Sequence, residues 1–166
     1  MTLEELNFLP LPDAKEALAK CCGSSQWVKR LEAQRPFTSR EHLLQLADEI
    51  WFGASPEDWL EAFAHHPKIG VKSLENRFAA TKDWSGEEQK SVQAASQQTL
   101  EKLLHLNEAY DNKFGYIFIV CATGKSAEEM MQILEQRLPN SPEEEIKIAM
   151  LEQNKITKLR LNKLLS

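Results

Sequence analysis

Tyr116-Ile117-Phe118-Ile119-Val120-Cys121 is the stretch on which the fold class turns. It is dense in β-branched and aromatic residues and reads as a strand. No second stretch of similar quality occurs in the 166 residues, and one strand alone cannot form a sheet. The six residues are therefore expected to be a buried, extended connector between helices. The chain is then all-α, a compact single-domain bundle of about eight or nine helices over residues 1–166. No repeat, low-complexity tract or linker marks a boundary.

Helix starts on either side are legible. A Ser or Thr followed three residues later by Glu is a capping box, in which two side chains satisfy orphan amides reciprocally. The pattern occurs at Thr2/Glu5, Thr38/Glu41, Ser85/Glu88, Ser126/Glu129 and Ser141/Glu144. Ser55-Pro56-Glu57-Asp58 is a close relative, with proline at the first helical position. Asp13 is read as the cap of a helix to about residue 22, ended by Gly23. Ser24 or Ser25 opens the next, and Pro36 closes it. Leu43, Leu44, Ala47, Ile50 and Trp51 share helical spacing, as do Trp59, Leu60 and Phe63, and both stripes read as core. Residues 73–80 fit one more short helix. A long helix is expected over about 85–113, with Val92, Ala95, Thr99, Leu103, Leu106 and Tyr110 on one face and Gly115 as its stop. Helices over 126–138 and from 141 to about 164 complete the chain.

Apolar residues make up 42% and charged residues 27%, enough to build a core. The net charge of -5 argues against a nucleic-acid surface and gives an anionic ligand no global steering, so an anion needs local donors. Cys21, Cys22 and Cys121 are odd in number, and no Cys-x-x-Cys spacing exists. A reducing cytoplasm is the simplest setting. The N-terminus has no secretory signal, and the final residues are not a peroxisomal address. The longest apolar run, 116–122, is too short to span a bilayer, so no membrane partner is expected.

Chemistry centres on His65-His66-Pro67-Lys68-Ile69-Gly70, after the helix-like run 55–64. Pro67 fixes its own φ and pushes His66 out of the α region, which sets the histidine at a helix exit. An imidazole held there suits proton transfer, its ordinary pKa being about 6.5. The same residues also fit a solvated His-His pair beside the negative end of a helix dipole. The connector runs into Ala122-Thr123-Gly124-Lys125-Ser126 and a helix N-terminus, where anions bind readily. Gly-Lys-Ser lacks the earlier glycine of a phosphate loop, since position 119 is Ile, and Ser126 is equally a plain cap. Glu88 fits either a cap or a carboxylate turned to a ligand beside His66. Arg160, between Leu159 and Leu161, fits either a snorkelling side chain or a carboxylate clamp. Adjacent histidines point apart and no His-x-x-x-His spacing exists, which disfavours a metal hydrolase. A non-enzymatic helical interaction module would explain the helices and leave the apolar connector without a role.

Taken in order, His66-Pro67-x-Ile69-Gly70, Ser85-x-x-Glu88-Gln89, Phe118-x-x-Cys121-Ala122-x-Gly124-Lys125-Ser126 and Ile156-x-x-x-Arg160-Leu161 resemble the 2-oxo-4-hydroxy-4-carboxy-5-ureidoimidazoline (OHCU) decarboxylases. Leu6-Asn7 and the tryptophan of Ser25-Gln26-Trp27-Val28 resemble that family's early helices. The resemblance implies an all-helical, cofactor-free, usually dimeric enzyme, here a homodimer with no metal. It implies removal of CO2 from a small ureidoimidazoline to give (S)-allantoin, the last step from urate. It implies catalytic roles for His66, Glu88 and Arg160. It implies substrate binding by Pro67, Ser85, Gln89, Phe118, Ile119, Val120, Cys121 and Ala122. Thr123-Gly124 stands where the family is more variable.

Overall fold

A computed structural model of the chain describes residues 1–67 and 86–166, the side chains of 86–96 excepted. Among the described residues there are eight helices and no strand. They are α1 (Leu3–Phe8), α2 (Leu11–Ala19), α3 (Ser25–Glu32), α4 (Arg40–Phe52), α5 (Pro56–Ala64), α6 (Gly86–Phe114), α7 (Ala127–Arg137) and α8 (Pro142–Leu164). The all-α reading holds. The expected short helix over 73–80 and the Ser85/Glu88 box lie outside the described residues. The chain divides into two compact units, Met1–His66 with Ile146–Ser166, and Pro67–Glu145. No described helix is long and apolar enough to cross a membrane.

In the first unit, helices start largely where hydroxyls stand. Thr2 makes a full box with Glu5, and Ser55 makes one with Asp58. Ser24, of the two serines open to the role, caps α3 by accepting from Trp27 N. Three expectations are corrected. The cap of α4 is Ser39, one residue beyond Thr38: its hydroxyl accepts from His42 N at 3.0 Å, while Thr38 N donates to His42 Nδ1 at 3.2 Å. His42 thus takes the place assigned to Glu41. Asp13 does not cap α2; Pro10 and Pro12 preset φ for its start, and Asp13 lies in the first turn, where a carboxylate favours the positive helix end. Helices α2 and α3 also stop early, at Ala19 and Glu32, and finish in tighter turns such as Cys21 N to Leu18 O at 2.9 Å and Arg35 N to Glu32 O at 3.1 Å.

Helix α3 packs on α2, α4 and α5. Trp27, Leu31, Leu43, Trp51 and Phe63 are buried. Each tryptophan N–H that goes inside finds a carbonyl: Trp27 Nε1 donates to Ala47 O at 3.2 Å and Trp51 Nε1 to Met150 O at 2.9 Å. Leu43, Ala47 and Trp51 of the α4 stripe are core, while Leu44 and Ile50 are only half-buried and Leu60 of the α5 stripe is 40% exposed. The second unit is α6 packed on α7. Leu100, Leu103 and Tyr110 meet Ala127, Met130 and Leu134, and Phe118 and Val120 of the connector complete that cluster.

Candidate active site

Helix α5 ends at His65, and His66 N still bonds Phe63 O at 3.2 Å before Pro67 breaks the pattern. The two histidines part there. His65 Nδ1 lies 2.9 Å from Glu61 O, and its ring rests against Gly23, where any Cβ would overlap it. Gly23 is therefore the seat of His65; it does not stop α2. His66 is half-buried, and its Nε2 lies 2.5 Å from Gln153 Oε1. Gln153 is fully buried on α8, and its Nε2 donates to Thr157 Oγ1 at 3.1 Å.

The Thr157 hydroxyl lies close enough to the Cys22 thiol to act on it. Burial pushes both Cys21 and Cys22 up to about 11, against the Arg160 charge, which acts on both. Cys22 is also opposed by the Ser24 main-chain N–H and the Thr157 hydroxyl. Both thiols are thus neutral packing groups near pH 7. Arg160 itself is exposed. His66 and Arg160 belong to the first unit, as do Gln153 and Thr157.

The connector lies in the second unit. Gly115 (φ +82) ends α6, Gly124 (φ +75) turns toward α7, and Phe118, Ile119, Val120 and Cys121 between them are buried. Positive φ makes glycine the natural residue at both ends. Two cations hold the connector carbonyls: Arg137 Nη1 donates to Ile119 O at 2.7 Å and Lys125 Nζ to Cys121 O at 2.8 Å. Lys125 is thus folded back onto the connector, while Ser126 caps α7 by accepting from Glu129 N at 3.1 Å. Ala122 is half-buried.

Arg137 is 6% exposed and lies over the Phe118 ring, 4.6 Å from its centroid. Its Nε donates to Glu145 Oε1 at 2.6 Å. Its Nη2 is also 2.6 Å from that oxygen, but without hydrogen-bond geometry, so this contact is an ion pair only. Glu145 also accepts from Tyr110 OH at 2.7 Å and from Asn140 Nδ2 at 3.0 Å. Burial and that bond to Glu145 hold the Tyr110 phenol far above its ordinary range.

Of the expected site residues, Ser85 and the side chains of Glu88 and Gln89 lie outside the described residues. Pro67 is exposed at the α5 exit. Sequence reasoning missed Gln153, Thr157, Arg137 and Glu145. The signal for the first two was present: Ala149, Gln153, Thr157 and Leu161 form an i+4 row, all buried, with polar residues in the middle of a core stripe.

A family model described as OHCU decarboxylase matches residues 7–162. The chain belongs to the OHCU decarboxylase family. The uric acid degradation bifunctional protein TTL of Arabidopsis thaliana is 41% identical over 150 residues, covering 88% of this chain and 45% of its own length. An OHCU decarboxylase of Halalkalicoccus jeotgali is 30% identical over 167 residues, covering 99% of this chain and 92% of its own. The chain spans less than half the length of the bifunctional relatives it matches. A crystal structure of an OHCU decarboxylase in the presence of (S)-allantoin aligns with a TM-score of 0.73 at 36% identity, covering 91% of this chain and 97% of that one. The family is one of carboxy-lyases in urate degradation, and its helical architecture is the one seen here.

Proposed function

We propose that this chain converts OHCU to (S)-allantoin by decarboxylation, the last step from urate to allantoin in purine catabolism. The observation that carries the reading is His66, half-buried at a helix exit with its ring held by the buried amide of Gln153. In the reaction the bond to the carboxylate carbon breaks and CO2 leaves. Its electron pair stays on the ring and delocalises into the adjacent imine, so the substrate supplies its own electron sink and no cofactor is required. A ring carbon then takes a proton on one face. One fixed donor makes that step stereospecific, and a positioned general acid contributes about 10²–10⁴-fold. His66 is that donor.

Glu88 orients the ring or holds the substrate hydroxyl, and Arg160 pairs with the carboxylate. Main-chain amides over 118–122 bind the ureido and ring carbonyl groups, with Pro67, Ser85 and Gln89 completing the contacts. The hold of Arg137 and Lys125 on connector carbonyls supports this role, because it fixes the direction in which the amides face. The family match runs through both compact units, which supports one decarboxylase domain over residues 1–166. A homodimer in the cytoplasm completes the reading, and three free cysteines fit a reducing compartment.

Spontaneous decay of the substrate gives racemic allantoin. Following optical rotation while fresh substrate decays tests the assignment: a single-handed product is expected with the protein present, and a racemic one would refute it.

A further inference from the structure

Behind His66 stands a row of uncharged polar side chains. Gln153 and Thr157 are one turn apart on α8, and the Cys22 thiol lies near Thr157. All three are buried, Gln153 and Cys22 completely. A primary amide has a donating end and an accepting end, and its neighbours decide which end faces where. The Thr157 hydroxyl oxygen has lone pairs to offer the amide. It accepts from Gln153 Nε2. The other end of the amide, Oε1, is left toward His66. An amide oxygen only accepts, so the imidazole nitrogen against it must carry hydrogen.

We propose that Gln153, oriented by Thr157, is a positioning residue that keeps hydrogen on Nε2 of His66 throughout turnover, so that the ring gives and takes its working proton at Nδ1. The proposal rests on the reading of His66 as the proton donor. It assigns the tautomer and the exchanging atom, and it gives a reason for a neutral orienting group. A carboxylate behind the ring would stabilise the imidazolium and hold the proton back. An amide fixes the ring in either charge state and leaves the proton transferable, and of the two roles open to Glu88 it leaves the substrate hydroxyl.

The test is ¹⁵N NMR of the labelled full chain. There are four histidines, so His66 is assigned by the signal missing from His66→Ala. The neutral His66 ring is expected to show the Nε2–H form, with a protected Nε2 proton. In Gln153→Leu that proton should exchange too fast to observe. Its kcat should fall about 10–100-fold with KM changed far less, the scale seen when the orienting partner of a metal-bound imidazole is removed. Gln153→Glu, which keeps an accepting oxygen, should restore the proton signal. An Nδ1–H form in the unmodified protein would overturn the proposal, as would a Gln153→Leu variant with the Nε2 proton and kcat intact. Should Gln153→Leu fail to fold, Thr157→Val removes only the hydroxyl that orders the amide. Mixed tautomers are expected there, and an unchanged spectrum would overturn the proposal. A protein inactive on OHCU would refute the decarboxylase reading alone, because the spectrum reads the tautomer independently of activity.

Discussion

Each compact unit holds a buried polar group, and the two are built on opposite principles. In the first, His66 meets Gln153, with Thr157 and Cys22 behind it, and none of the three is charged near pH 7. In the second, Arg137 and Glu145 form a buried ion pair, with Tyr110 and Asn140 filling the remaining positions on the carboxylate. The neutral row can sit behind a ring whose charge changes, since it neither demands nor forbids the proton. The ionic knot cannot change state cheaply. Once desolvated, each charge depends on the other. It is suited to a fixed task, and that task is visible: Arg137 holds the Ile119 carbonyl in the middle of the connector. One group is arranged for a proton that moves, the other for a backbone that must not.

The sharpest way to break this contrast is to remove a member from each side. His66→Ala should lower decarboxylation by about 10²–10⁴-fold, the contribution of a positioned general acid. It should cost the fold only about 1 kcal/mol, because removing the half-buried ring opens a way for water to the Gln153 Oε1 that loses its partner. Initial rates set beside a thermal melt decide it; near-normal turnover would remove His66 from the chemistry. Arg137→Met should do the reverse in emphasis. Glu145 is 0% exposed and would be left as an uncompensated charge, at a cost of about 3–5 kcal/mol in a urea titration. Activity should fall as well, through a connector no longer tied at Ile119. An Arg137→Met protein as stable as its parent would show that the ion pair is not what fixes the connector.

The same contrast explains what could be read from the sequence. Helix starts were legible because a cap is local: Thr2, Ser24, Ser55, Ser126 and Ser141 each bond an amide three residues on. Where two hydroxyls stand together, at Thr38-Ser39, the cap shifts by one: either hydroxyl can cap, and Ser39 does so although His42 rather than a Glu stands three residues on. The connector was legible by elimination, a strand-like run with no mate. The partners of His66 were not, because Gln153 lies 87 positions away and helical periodicity marks its row only as core. Arg137 and Glu145 look, residue by residue, like a basic helix end and an acidic helix start. Their burial depends on tertiary packing that no local pattern reports. Leu60 failed for the converse reason: helical spacing predicts a stripe but not its width, and α5 buries Phe63 while exposing Leu60.

The smallest effect separates the two histidines themselves. Gly23 faces the His65 ring, and a methyl there would overlap His65 Cβ as well as Cγ and Nδ1. Because Cβ is fixed to the backbone, rotation of the side chain cannot relieve the overlap, and the α5 exit must shift. Gly23→Ala should therefore destabilise by about 1–3 kcal/mol, the cost of overpacking. For a chain of this length that is a fall of about 2–4 °C in Tm per kcal/mol. If His65 is only a structural ring, bonded to Glu61 O, kcat should stay near that of the parent at a temperature where both are folded. A kcat loss comparable to that of His66→Ala would mean that the two rings act as one unit. The division drawn between a scaffold histidine and a chemical one would then fail at the step between residues 65 and 66.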